Sequence, residues 1–349
     1  MKHFITMLSL SLAAMTSIAC SNKEINTEKA NKAYNLGREY YINKQYDLAL
    51  KEADVVIKLR PDDTMAYILR GSIYRETAQY TNALNDYSKA IEINNVNAGL
   101  AQAYSLRSYI YTDIMKEYDK ALEDINKALN ILPHEPGFLI GLARIYIELS
   151  KYNEAQNTID KIIKIKPGFK DVYAMQGKLY HRMKKYNDAI IYYSKEINSN
   201  DKKNKVNYQN YFNRGEAYFN INRYNKAKTD INICLKMNDK LARAYIIRGS
   251  INIADKLYDN AINDFYHALR ILNSNDEQLY YNDKSDIKVA YFNMATAYYG
   301  KNDYEKTYMN LKSSIDNGFN KFDVINTHFS KIGKEHIGEL INLIKNKKI

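Results

Sequence analysis

Apolar and polar positions follow a helical spacing along most of this 349-residue chain, and the pattern recurs as a larger unit. A tyrosine with an alanine three residues later marks each unit: Tyr46 and Ala49, Tyr80 and Ala83, Tyr118 and Ala121, Tyr152 and Ala155, Tyr186 and Ala189, Tyr224 and Ala227, Tyr258 and Ala261. Tyr304 opens an eighth unit, with Thr307 in the alanine place. Successive tyrosines lie 34, 38, 34, 34, 38, 34 and 46 residues apart. A period of that length means stacked helical hairpins. More columns fall into register on the tyrosines. A small residue precedes each by nine or ten positions: Gly37, Gly71, Ser108, Ala143, Gly177, Gly215, Gly249 and Ala295. An aromatic follows it in seven of the eight units, at Tyr40, Tyr74, Tyr111, Tyr146, Tyr180, Tyr218 and Tyr298. Ten residues after the tyrosine a second small residue dominates, at Ala90, Ala128, Cys234, Ala268 and Ser314. Pro61, Pro133 and Pro167 close three units, where proline cannot continue a helix.

Each predicted helix is only about 12–15 residues long and needs its neighbours for stability. Stacking supplies the core, and tyrosine suits it, having a large apolar ring and a hydroxyl that reaches a wet edge. This structural demand accounts for 33 tyrosines in a chain without tryptophan.

These columns at fixed offsets resemble the tetratricopeptide repeat. The units fall at about 30–63, 64–97, 101–135, 136–169, 170–203, 208–241, 242–275 and 288–321. The resemblance implies an all-α chain: a right-handed solenoid of about eight hairpins, each a helix A, a short turn ending near the tyrosine, and a helix B. Residues 322–349 lack the tyrosine–alanine beat but keep helical spacing at Ile337, Leu340, Ile341 and Ile344, and read as a C-terminal helical cap. Three insertions interrupt the array, near 98–100 (one extra residue inside the third helix A), near 204–207 and at 274–287. The last is the longest, and is either a binding element or a lengthened helix or turn.

The Arg at the seventh position and the Asp three residues after the Ala come and go together. Arg70, Arg107, Arg214 and Arg248 accompany Asp86, Asp124, Asp230 and Asp264, and the other four units carry neither. The covariation predicts partly shielded ion pairs between helix A and helix B of one hairpin, a structural role.

By resemblance, helix A lines a concave face that binds extended peptides. The corresponding positions hold Tyr34 and Tyr41 in the first unit, Phe212 and Phe219, Ile246 and Ile253, and Phe292 and Tyr299 in the last three. Arg38, Arg144, Lys178, Arg182 and Arg243 add positive charge nearby. Two readings stand: an apolar stripe for a peptide with hydrophobic anchors and acidic groups, or side chains that pack between adjacent A helices. The family's Lys/Asn clamp for C-terminal carboxylates is absent, because Tyr34, Arg38, Leu69, Gln102 and Leu106 occupy its places.

Residues 1–19 carry one lysine and then an apolar, small-residue stretch, which reads as a signal peptide. Ser17-Ile18-Ala19-Cys20 resembles a bacterial lipobox, with Ser17 where leucine is usual. The resemblance implies lipidation of Cys20, residues 20–29 as a short linker, and a lipid-anchored protein of the bacterial cell envelope. A plain signal peptide leaving Cys20 free, or an uncleaved anchor, are the alternatives. Cys234 then has no disulfide partner and reads as a small core residue.

Net charge is +11, of which Lys2 alone lies in the signal segment. The charge is spread through every unit, so no nucleic acid partner is expected; an anionic lipid or cell-wall polymer is the better electrostatic partner, and a solvated basic surface without a partner is the simpler reading. No Gly-rich phosphate loop, no metal-ligand spacing and no nucleophile signature occurs; His181 and His267 read as surface residues. We therefore expect no enzyme, cofactor or metal. The expected function is a membrane-anchored scaffold for a peptide or protein in envelope assembly, an analogy at the level of the fold. The alternative is a glycan- or cell-wall-polymer-binding lipoprotein.

Overall fold

The computed structural model describes residues 25–93, 97–169, 171–199, 207–274 and 285–346. The signal segment, Cys20 and most of the 274–287 insertion lie outside the described residues. Among those described, every regular element is helical, and the chain divides into two compact units at Lys166 and Pro167. The first unit contains α1 (25–42), α2 (Tyr46–Leu59), α3 (Thr64–Glu76), α4 (Tyr80–Ile93), α5 (Asn97–Ile110), α6 (Tyr118–Ile131), α7 (Pro136–Glu148) and α8 (Tyr152–Ile165). The second contains α9 (Val172–Arg182), α10 (Tyr186–Ser199), α11 (Tyr208–Asn220), α12 (Tyr224–Met237), α13 (Ala242–Ala254), α14 (Tyr258–Leu272), α15 (Asp286–Gly300) and α16 (Tyr304–Asp316). It ends in α17 (Phe322–His328), a 3-10 turn (Ser330–Ile332) and α18 (Lys334–Asn346). Odd-numbered helices up to α15 are the A helices and even-numbered ones the B helices, packed as antiparallel hairpins within each unit.

Every marker tyrosine is the first residue of a B helix. The alanine three residues on is fully buried in all seven units that have one, and so is Thr307. The tyrosines themselves are half-buried at the hairpin ends. The small residue on helix A admits a large side chain from helix B. A Cβ on Gly177 would lie 2.6 Å from the Tyr193 ring, and one on Gly249 2.6 Å from Phe265.

The A-to-B turn repeats one hydrogen-bond pattern. In the first hairpin Lys44 N–H donates to the Tyr41 carbonyl at 3.0 Å and Gln45 N–H to the Tyr40 carbonyl at 2.8 Å. This is the Schellman closure of a helix, which needs a left-handed residue at its centre. That residue is Lys44, Ala78, Lys116, Ser150, Lys184, Asn222, Lys256 and Asn302 in turn, with φ between 58° and 63°, and never glycine. The aromatic column supplies the accepting carbonyl, so its place follows from the turn as well as from packing. In the third hairpin the extra residue is taken up in a π-helical turn, Tyr111–Met115, and Glu117 N–H reaches the Tyr111 carbonyl at 2.9 Å. The single extra residue of the third helix A thus sits at its C-terminal end, and the rest of the first insertion, near 98–100, lengthens the front of α5, which starts at Asn97.

B-to-A entries use local caps. The Asp63 carboxylate accepts from the Met65 and Ala66 amides, Asn207 caps α11, and Pro136 starts α7 behind Glu135. The C-terminal segment buries Ile325, Phe329, Ile332, Ile337, Leu340 and Ile344 with Leu311 and Ile315 of α16. Lys334, Glu335, His336 and Glu339 of α18 remain exposed, the polar outer face that closes a stack.

Candidate interaction surface

The structure brings the covarying Arg and Asp columns together. Arg214 Nε and Nη2 donate to the Asp230 carboxylate at 2.7 and 2.8 Å. Arg107 meets Asp124 at 2.7 and 2.9 Å, and Arg70 meets Asp86 at 2.8 and 2.7 Å. Arg248 meets Asp264 at 2.6 Å through Nη2. The hydrogen bonds from Arg70, Arg107 and Arg214 to these carboxylates hold the guanidiniums still more firmly in their charged form. Each aspartate is buried.

Two further partners of each arginine escaped the sequence reading. The remaining terminal nitrogen crosses to the preceding B helix: Arg70 to Asp54, Arg107 to Ser88, Arg214 to Ser194 and Arg248 to Asn232, at 2.8 to 3.0 Å. These acceptors all stand eight residues after their marker tyrosine. Three residues before each arginine, one helical turn away, lies a tyrosine ring: Tyr67, Tyr104, Tyr211 and Tyr245, at 5.3 to 5.8 Å. The arginine therefore ties three helices of two successive hairpins.

On the A-helix face the apolar stripe goes into packing. Phe212 and Phe219 lie half-buried against Ala244, Ile247 and Ile251 of α13. Ile246 is buried and Ile253 half-buried against α15 residues such as Ala290 and Met294. Phe292 stacks on Phe319 with ring centroids 4.5 Å apart, and Tyr299 meets Phe329 edge-on at 5.3 Å. Ile246 is buried, and Phe212, Phe219, Ile253, Phe292 and Tyr299 are shared between neighbouring A helices and, at the end, the cap, each keeping part of its surface exposed. The reason is the close side-by-side approach of A helices, which buries the faces they turn to each other.

Arg243 is also no isolated cation. It donates to Glu216 at 3.0 Å and lies 3.9 Å from Asp286, while Glu216 stands 3.6 Å from His181. The chain His181–Glu216–Arg243–Asp286 links α9, α11, α13 and α15. Burial lowers the pKa of His181, and Glu216 opposes that shift. Lys178 is half-buried and Arg182 exposed, one turn apart on α9.

In the first unit the ends of the A helices build a mixed cluster. Arg75 donates to Glu76 at 2.6 Å and to the Tyr41 hydroxyl at 3.4 Å. Its guanidinium lies 5.4 Å from the Tyr109 ring centroid, and that of Arg144 lies 5.5 Å from the same ring. Arg144 also donates to Asp113 at 2.6 Å. Tyr34 is half-buried over Ala30, Ala33 and Val56, with Arg38 exposed beside it. Arg75, Tyr109 and Arg144 thus offer a ring and two oriented guanidiniums on three successive A helices. The repeat columns single out Tyr34, Tyr41 and Arg144, whereas Tyr109 and the inward turn of Arg75 carry no column signal.

Among the described residues no group of His, Cys, Asp and Glu could hold a metal ion, and no helix is long and apolar enough to cross a membrane. Cys234 is buried, and burial pushes its thiol up to about 12. His267 stacks on Tyr245 at 5.3 Å. Glu196 stands where most hairpins have a small residue. It is buried, accepts from the Ala174 amide at 3.2 Å at the start of α9, and has its pKa raised by burial, an effect that this amide partly offsets.

Comparison with known proteins agrees with this architecture. Family models described as tetratricopeptide repeat match residues 66–97, 115–179, 171–201 and 208–241, and the chain carries these repeats. Hsp70-Hsp90 organizing protein 3 of Arabidopsis thaliana is 30% identical over 115 residues, 33% of this chain and 20% of that protein. The Hsp70-Hsp90 organising protein of Plasmodium falciparum is 33% identical over 98 residues, 27% of this chain and 17% of that one. The chain thus spans about a fifth of the length of the curated relatives it matches. Among solved structures, a tetratricopeptide repeat protein of Parabacteroides merdae superposes with a TM-score of 0.55 at 21% identity, over 75% of this chain and 99% of that one. The Cut9–Hcn1 structure gives a TM-score of 0.60 at 14% identity, over 86% of this chain and 57% of that one. These likenesses are of fold.

Proposed function

We propose that the chain is a scaffold that holds a peptide or protein partner on the A-helix face of its first unit and is anchored to a bacterial envelope membrane through Cys20. Tetratricopeptide repeats support the first part, as modules for protein–protein interaction. The observation that carries it is the Arg75–Tyr109–Arg144 cluster. It offers an aromatic surface between guanidiniums already oriented by Glu76 and Asp113, so little ordering remains to be done on binding. The Lys/Asn carboxylate clamp is missing at Tyr34, Arg38, Leu69, Gln102 and Leu106, so a chaperone tail is not the partner proposed. The anchor rests on the pattern of residues 1–20.

Pull-down from crosslinked cells tests the binding reading. A discrete partner recovered with the intact chain and lost with the Tyr109→Ala, Arg144→Ala variant supports it; equal recovery from both refutes it. Labelling with a fatty-acid analogue tests the anchor separately. Incorporation that Cys20→Ser abolishes is expected, and an unlabelled intact chain would refute anchoring.

A further inference from the structure

The first hairpin exposes apolar side chains that the next one does not. Ile25 is 46% exposed, Ile42 72%, Leu48 40% and Val55 42%, all on α1 and α2, whereas α3 and α4 expose no large apolar side chain. Single exposed aliphatics are ordinary on a protein surface, but two of these break a polar column. Leu48 stands two residues after its marker tyrosine, where the other seven units carry Asn, Lys, Glu or Asp. Val55 stands nine residues after it, where four of the other units carry Lys. On α2 the two share a face with lysines. Leu48, Lys51, Val55 and Lys58 follow steps of three and four residues, and all are exposed, while Ala49, Ala53 and Val56 are buried. Exposed Lys44, in the turn before α2, extends the seven-residue spacing of Lys51 and Lys58. The acids of α2 lie off this face or at its edge. Asp54 pairs with Arg70 of α3 at 2.8 Å, Glu52 turns to α1, where its Cβ lies 3.2 Å from the place of a Cβ on Gly37, and Asp47 flanks Leu48.

The place of this hairpin in the chain points to what covers the face. Ala30 and Ala33 of α1 pack with Val56 and Leu59 of α2, so the end of α2 lies beside the start of α1. The five residues from Cys20 to Ile25 reach no more than about 18 Å. A lipid on Cys20 therefore holds the α2 face near the bilayer surface at a high effective concentration. Aliphatic side chains interleaved with lysines suit the boundary between acyl chains and anionic headgroups. The aliphatics enter that boundary, and the lysine stems lie along it with their ammonium groups at the phosphates.

We infer that the α2 face of Leu48, Lys51, Val55 and Lys58 docks on the anionic surface of the membrane that holds the anchor. The inference rests on the anchoring proposed above and adds which side of the first unit turns to lipid. Because α2 is a B helix, docking leaves the A-helix face of that unit, with Arg75, Tyr109 and Arg144, open to a partner.

The test supplies an artificial tether, so that it does not depend on lipidation of Cys20. A hexahistidine tag replaces residues 1–20, every described residue is kept, and the chain is held on vesicles of phosphatidylglycerol and phosphatidylethanolamine through a nickel-chelating lipid. An environment-sensitive fluorophore is attached through Lys51→Cys or, as a control, through Lys161→Cys, which lies on α8 in the column of Val55; Cys234 is buried and stays unlabelled. Emission from position 51 that shifts to the blue and rises about twofold or more on tethering, with no change from position 161, is expected. The response should shrink when phosphatidylcholine replaces phosphatidylglycerol. Leu48→Ser, Val55→Ser should abolish it while circular dichroism and tethering stay as in the parent. No response at position 51, an equal response at position 161 or on phosphatidylcholine, or a response that survives the double substitution would overturn the inference. Failure of the anchor shows instead in the fatty-acid labelling of Cys20, which leaves this readout untouched.

Discussion

Arg214 and Asp230 face each other across the α11–α12 hairpin through two parallel hydrogen bonds of 2.7 and 2.8 Å. Because a third donor of Arg214 reaches Ser194 on α10 at 3.0 Å, one residue sets both the hairpin and its seat on the hairpin before it. Breaking such a pair from one side leaves a buried charge uncompensated, at a cost of about 3 kcal/mol. Arg214→Ala and Asp230→Ala should each lower stability by that order in urea denaturation. The double variant should cost far less than their sum, with a coupling of at least ~1 kcal/mol. Additive losses would show that the two residues act independently.

The left-handed turn residue gives a stabilising prediction. Ala78 has φ 61°, a conformation that costs a residue with a Cβ roughly 1–2 kcal/mol. Ala78→Gly removes that strain and loses part of the gain to unfolded-chain entropy, so a net rise of about 0.5–1 kcal/mol is expected. A lower melting temperature would mean that the Ala78 methyl contributes more to packing than its backbone costs.

Glu196 gives a pH dependence whose sign is fixed. Burial raises its pKa above the unfolded value of about 4.3. Below that value the group is protonated in both states and carries no penalty. As pH climbs through the raised folded value, the native state holds a proton that the unfolded state has released, and stability falls. Glu196→Gln keeps a carbonyl for the Ala174 amide and never ionises. It should therefore gain on the parent in melting temperature between pH 4 and pH 8. A constant difference across that range would contradict the account.

Cys234 should be chemically silent. Its thiol is buried and pushed up to about 12, so almost no thiolate exists at neutral pH. In a Cys20→Ser background, Ellman's reagent should react with the native chain at least about a hundredfold more slowly than in denaturant. Fast reaction of the native chain would place Cys234 at an accessible surface.

The period, the buried alanines and the start of each helix B at its tyrosine are legible because each is a local or strictly recurring demand of hairpin stacking. The Arg and Asp columns were legible through their joint presence. Ser194 and Asn232 were not, since their column also holds residues that face no arginine, such as Tyr266. The turn conformation was hidden because lysine, alanine and serine occupy a place usually flagged by glycine. Phe212, Phe292 and Tyr299 were read as open to a partner as readily as packed, because their burial depends on the spacing of A helices and on a cap outside the repeat pattern. Tyr109 was missed because the π-helical turn and the inward reach of Arg75 and Arg144 set its neighbours, none of which a column shows.

The central functional claim, that the A-helix face of the first unit holds a partner, is tested most directly by a photo-crosslinking amino acid placed at Tyr109 in living cells. A second chain carries it at Lys89, exposed on helix B of the same unit. The account predicts a discrete protein adduct from position 109 and none from position 89. Adducts of equal yield at both positions, or none at 109 in a correctly folded chain, would contradict it.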